Sequence, residues 1–253
     1  MCSTGVPIVT TNQDPQAAPP AQRRFQFRLT DLLLVTAVLG VSLAALVPAY
    51  RAAREAGHQS SCSNNLRQIA LALHNYHDTY RQFPPAYQVD ATGKPVHSWR
   101  VLIWNFLESQ PYYDAYNFNE PWNGPNNSKL AVHMRAGYRC PADTTSPPLM
   151  TNYVAITGKG TMWPGAKSAD LKDGTSETIM IVEIAHSDIH WMEPRDLPVE
   201  ELAEWLEPGH RPQLLGGHIE GGFVAYADGR VEMLPRSVTV ERLRAMVSAA
   251  GRD

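Results

Sequence analysis

The sequence predicts an α+β fold: one long N-terminal helix, membrane-spanning in its first half, packed by its second half on a head with a mostly antiparallel β-sheet. Three observations lead there. Between Asp31 and Arg51 lie nineteen residues without a charge, and a helix rising about 1.5 Å per residue crosses roughly 30 Å of hydrocarbon in that length. Leu66, Ile69, Ala70, Leu73, Tyr76 and Tyr80 then recur at spacings of three and four, the rhythm of a helix with one buried face. Near the C-terminus, the alternating runs Phe223–Ala227 and Arg230–Leu234 flank Asp228-Gly229, the pattern of a hairpin.

Composition narrows the function classes. A chain of 253 residues, 43% hydrophobic, can bury a core of its own as one main domain. A net charge of -3 argues against a nucleic-acid partner, which needs a basic face. Cys2, Cys62 and Cys140 lie far apart, so no CxxC zinc signature is present.

Taken in order, residues 1–26 read as a disordered cytoplasmic tail or leader: four prolines fall within the first 22 positions and little there could form a core. Arg23, Arg24 and Arg28 precede the apolar run, which places the N-terminus in the cytoplasm by the positive-inside tendency. The long helix is assigned to 27–82, spanning the inner (cytoplasmic) membrane once, to about residue 50. It stops at Phe83-Pro84-Pro85 because proline cannot continue it.

The extracytoplasmic head occupies 83–236. Ser98 is placed as N-cap of a segment through Leu107, Pro111 starts a helix toward Tyr116, and Asn127 caps a helix toward His133. The Asn- and Pro-rich stretch Asn117–Asn127 is loop, and Tyr138–Pro141 is a short strand or turn. Asn152–Ile156 and Thr178–Ile184 read as strands, with a turn at Asp173-Gly174 before the second. Pro198–Leu206 reads as a short acidic helix. The Asp228-Gly229 hairpin is expected to turn by a type I′ geometry with positive φ, and 237–253 hold a terminal helix and tail.

A cleaved signal peptide fits the N-terminus poorly, since the apolar core is long and continues as a patterned helix. The segment instead resembles the start of type IV prepilins. Phe27 stands where the first mature aromatic would be, Asp31 where an acidic residue is expected, and Gly40 and Pro48 where pilin helices often carry Gly and Pro. Gln26 replaces the glycine after which prepilin peptidases cleave, and Asp31 replaces glutamate. Two roles for Asp31 stay open: pairing with the amine of a neighbouring subunit in lipid, or capping its own helix near Arg28.

A wider set of runs, among them Pro48–Tyr80, FPPAY, SWRVLIWNFLE, YRCPAD, LKDGTSETIMIVE and GGHIEGGFVAYADGRVEML, is similar to an uncharacterised bacterial family. That domain-of-unknown-function family has a prepilin-type start and a closing His-x9-Asp-Gly motif, here His218, Asp228 and Gly229. It implies a pilin-like fold and relatedness, without a reaction. On the exported side disulfides persist. A Cys62–Cys140 bridge would close a loop of nearly eighty residues and stabilise by ~4 kcal/mol in the chain-entropy account; two buried thiols are the alternative.

Catalysis and a bound metal are not expected: no G-x-S-x-G, Walker loop, H-E-x-x-H or dinucleotide fingerprint occurs. The candidate ligands are His218, Glu183 and Asp228 together, His74, His77 and Asp78 along one helix, and Asp170 and Asp173 for calcium. Aromatic residues at Trp99–Trp104, Tyr112–Tyr116 and Trp191 serve either a carbohydrate groove or a core. Trp191–Asp196 is the surface-recognition candidate. The function these features imply is a non-catalytic, membrane-anchored pseudopilin-like protein, its partners the membrane and homologous pilin-like subunits of type II secretion or a type IV pilus-like assembly. The alternatives are an anchored ligand-binding module that never polymerises and, more remotely, a metal-dependent hydrolase.

Overall fold

A computed structural model describes residues 28–163 and 174–249. The expected N-terminal tail, with Gln26 and Phe27, and the candidate calcium ligands Asp170 and Asp173 lie outside the described residues. The chain is an α+β protein dominated by one helix, α1, Leu29–Tyr80. Its N-terminal part is long and apolar enough to cross a membrane and holds no buried residue. The chain divides into two compact units, 1–49 and 50–253.

Within the second unit α1 buries Cys62, Leu66, Ile69, Ala70 and Leu73; of the stripe that the spacing predicts, Tyr76 is half-buried and Tyr80 exposed. The helix closes at Arg81, which turns into the left-handed region at φ 62° just before Phe83-Pro84-Pro85. A two-stranded ribbon follows, β1 (Tyr87–Val89) against β2 (Pro95–Ser98). Ser98 then caps α2 (Trp99–Leu102), its hydroxyl accepting from Arg100 N. The expected helix through Leu107 is broken here: Ile103 leaves helical geometry and a 3-10 turn completes the segment. Short helices α3 (Gln110–Asp114) and α4 (Asn127–Leu130) come next. Asn127 is not the cap of α4. It lies inside the helix, and its side chain instead ties the preceding loop at Asn117, Glu120 and Pro121.

The main sheet is mostly antiparallel. Strands β3 (Tyr153–Thr157), β4 (Ile179–Ala185), β7 (Gly221–Tyr226) and β8 (Val231–Pro235) pair antiparallel in that order. β5 (Leu197–Pro198) adds a parallel edge to β3, and β6 (Gln213–Leu214) pairs with β4. Two cores lie on opposite faces. Tyr153, Ala155, Ile181, Phe223 and Ala225 point to the face covered by α1. Val154, Ile156, Val182, Ile184 and Val224 point to the face covered by α5 (Leu202–Leu206) and α6 (Val240–Val247). The period-2 alternation of a strand buried on both sides accounts for the split. The acidic stretch from Pro198 is shorter as an α-helix than its sequence suggests, opening as a 3-10 turn over Val199–Glu201.

The closing hairpin is where predicted, with a different turn. Tyr226 N donates to Arg230 O, Gly229 N donates to Tyr226 O, and among these residues only Gly229 has positive φ, +86°. That is a three-residue loop with a glycine bulge, in place of the type I′ turn. Asp228 stays in ordinary backbone space and its Oδ1 accepts from Arg230 N at 2.8 Å.

Two expectations about surface give way. Trp191 and Met192 are fully buried and Asp196 nearly so, which leaves only Glu193, Pro194 and Arg195 of the Trp191–Asp196 stretch partly exposed. Trp99, Trp104 and Trp191 are likewise core side chains and line no groove. Apolar aromatic area of this size is driven inward, and a buried indole N–H usually finds an acceptor. Trp99 Nε1 donates to Asp196 and Trp191 Nε1 to the Ala131 carbonyl, whereas Trp104 Nε1 has no hydrogen-bond partner among the described residues.

Candidate functional site

One buried cluster gathers several chemistry-bearing residues from distant parts of the sequence. Glu55 and Cys62, seven residues apart, lie on the same side of α1. Cys140 follows a 3-10 turn over Ala136–Tyr138, and its N–H donates to Asn152 Oδ1 at 2.9 Å. Glu183 belongs to the central strand β4, on the face turned to α1. His218 precedes β7, in a loop tied by its own N–H to the Gly221 carbonyl. Cys62 and Cys140 form a disulfide with Cα atoms 5.3 Å apart.

His218 is the hub. Its Nδ1 is 2.9 Å from Glu55 Oε1; its Nε2 is 3.5 Å from Glu183 Oε1 and 3.7 Å from Cys140 Sγ. An ionised carboxylate only accepts, so Nδ1 carries a proton toward Glu55. Nε2 faces a second carboxylate, so the ring lies between two acidic side chains. Burial works against a charge on the ring, but hydrogen bonding and charge from Glu183, then from Glu55, outweigh it and hold His218 above its ordinary value.

Glu183 is fully buried. Its Oε2 accepts from Phe223 N at 2.8 Å, whereas Oε1 makes no conventional hydrogen bond among the described residues and has His218 Nε2 as its ion-pair contact at 3.5 Å. Gly217 makes room for this carboxylate: a Cβ there would sit 2.7 Å from Oε1. A cavity of about 440 Å³, lined by Arg51, Arg54, Glu55, His58 and Arg236 among others, opens onto His218.

The Cys140 loop is fastened from behind. Asp143 accepts from Thr145 N, Thr145 Oγ1 and Ser146 N through Oδ1, and from Ser146 Oγ, Asn152 Nδ2 and His186 N through Oδ2. Burial alone would raise its pKa, but the bonds from Ser146 and Thr145 prevail and hold the carboxyl well below the usual carboxylate range. Asn152 also donates to the Ile184 carbonyl, linking loop to sheet.

The structure thus brings together Cys62, Cys140, Glu183 and His218 but leaves Asp228 apart. The six residues of β7 separate His218 from Asp228-Gly229 by roughly 20 Å of strand, so the two ends of the motif serve different places. Asp228 and Gly229 shape the hairpin, where Gly229 approaches His74. His74 and His77 pack on Phe83, ring centroids 5.5 and 4.8 Å away, as polar packing partners of the helix. Asp31 accepts from Arg28 N at 3.1 Å, within its own first turn. Sequence reasoning missed Glu55 and Asn152; the seven-residue step from Glu55 to Cys62 was the available signal for the first.

A family model described as a protein of unknown function (DUF1559) matches residues 51–168. No curated protein matches, and no solved structure does. The match begins after the apolar run and ends before Glu183 and His218, so over somewhat less than half its length, including Glu55, Cys62 and Cys140, the chain is similar to a family without an assigned activity.

Proposed function

We propose that this chain is a non-catalytic, pilin-like protein of the bacterial envelope. A single pass through the cytoplasmic membrane anchors it, with its N-terminus in the cytoplasm and its head outside. The change of burial along one unbroken helix carries the reading. Leu32, Leu33, Val38, Leu39 and Leu46 are all more than half exposed, whereas Leu66, Ile69 and Leu73 are buried. A run of apolar side chains this long is stable only in lipid or against other apolar helices. The Cys62–Cys140 disulfide favours an oxidising compartment for the head. Homologous pilin-like subunits, in type II secretion or a type IV pilus-like assembly, are the partners that an apolar helix of this kind would pack against in the membrane.

A cysteine placed beside Asp31 tests the reading in cells. Cross-links between neighbouring chains, together with a mature N-terminus at Phe27 by mass spectrometry, are the expected result. An intact leader without neighbour cross-links would select a static anchor carrying a ligand-binding head. One observation favours that second reading: Asp31 is already engaged by Arg28 N.

A further inference from the structure

We propose that Cys62, Cys140, Glu183 and His218 form a buried four-ligand zinc site when the disulfide is reduced, so that the head alternates between a disulfide-closed and a zinc-closed form. One ligand atom from each residue already lies within 4.8 Å of every other. For zinc–ligand bonds of about 2.0–2.3 Å, the edges of a tetrahedron are roughly 3.3–3.8 Å. The distances from His218 Nε2 to Glu183 Oε1, 3.5 Å, and to Cys140 Sγ, 3.7 Å, fall on such edges. Two sulfurs on Cα atoms 5.3 Å apart can reach the same spacing by side-chain rotation once their bond is broken.

Two further features fit a cation. The Glu183 Oε1 atom is buried, makes no conventional hydrogen bond among the described residues and faces His218 Nε2 at 3.5 Å, with its sister oxygen fixed by Phe223 N. Glu55 holds the far side of the His218 ring at 2.9 Å, the carboxylate–histidine–metal arrangement that orients a ligating imidazole. Two thiolates, an imidazole and a carboxylate select Zn²⁺ over the hard cations calcium and magnesium.

The chemistry balances with a dithiol reductant. Its two thiols supply two electrons and two protons, the Cys62–Cys140 S–S bond breaks to two thiols, and the reductant leaves as a disulfide. Zn²⁺ then displaces the two thiol protons, and any proton on His218 Nε2, to solvent. Nδ1 keeps its proton on Glu55.

The test uses the full chain in detergent, without a histidine tag. Oxidised and dithiol-reduced samples are loaded with zinc alone, desalted without oxygen and assayed for metal, with circular dichroism to follow the fold. The reduced chain is expected to retain about one zinc and the oxidised chain none. Co²⁺ in place of zinc should give a thiolate charge-transfer band. Glu183→Gln and His218→Asn should each weaken zinc binding at least tenfold, and Glu55→Gln by roughly tenfold through loss of ring orientation. Equal zinc in the two redox states, cobalt without the thiolate band, or unchanged affinity in both ligand variants overturns the proposal. It is equally lost if reduction unfolds the head and zinc does not restore it.

Discussion

Arg100 and Asp196 meet at 2.6 Å with both side chains out of solvent, ninety-six positions apart in the sequence. Asp196 Oδ1 also accepts from Trp99 Nε1 and Ala155 N, and Arg100 donates to the Tyr153 carbonyl and Ser98 Oγ. Removing one partner strands the other charge in the core. Asp196→Ala should therefore cost about 3–5 kcal/mol in chemical denaturation, while the double replacement Arg100→Met with Asp196→Leu should cost less than the single one. Asp143 offers a second test at this scale. Its carboxyl is held below the usual range in the folded head, so its contribution is complete above the unfolded value near 4 and is lost as pH falls beneath it. Asp143→Asn should flatten the acid limb of the stability–pH curve below about pH 4; an unchanged slope counts against the role. The sequence announced neither residue. Asp143 sits in a run of Thr and Ser whose local bonds are those of an ordinary turn, and Asp196 in a run that reads as surface, because a pairing partner as distant as Arg100 leaves no local pattern.

Elements follow local chemistry where that chemistry is strong. The stripe on α1, the Ser98 cap and the closing hairpin were legible from spacing and residue type. The type of hairpin turn was not, since Asp-Gly suits both the two-residue turn and the three-residue loop, and pairing of Tyr226 with Arg230 decided between them. Gly229 at φ +86° accommodates that loop without a Cβ penalty, so Gly229→Ala should destabilise by about 1 kcal/mol in thermal unfolding. The disulfide joins α1 to the loop before β3 across a separation of 78 residues. In the chain-entropy account the paired change Cys62→Ala and Cys140→Ala should cost ~4 kcal/mol at 25 °C, measured by denaturant titration of the head.

For the molecule as a whole, the apolar run of α1 and the compact unit from Tyr50 onward make separable demands on solvent. Full-length protein should fractionate with membranes and resist extraction by salt, while a chain starting at residue 50 should be water-soluble and retain the Cys62–Cys140 bridge on a non-reducing gel. Recovery of the full chain from the soluble fraction would remove the basis of the anchor. Hydropathy, helical period, strand alternation and turn residues are properties of neighbours in the chain, and they alone determined the long helix, the antiparallel strands and the α+β class. The meeting of Glu55, Cys62, Cys140, Glu183 and His218 was decided by the tertiary structure. Which face of β4 turns toward α1, and which loop end His218 occupies, depend on register and packing between segments more than a hundred residues apart.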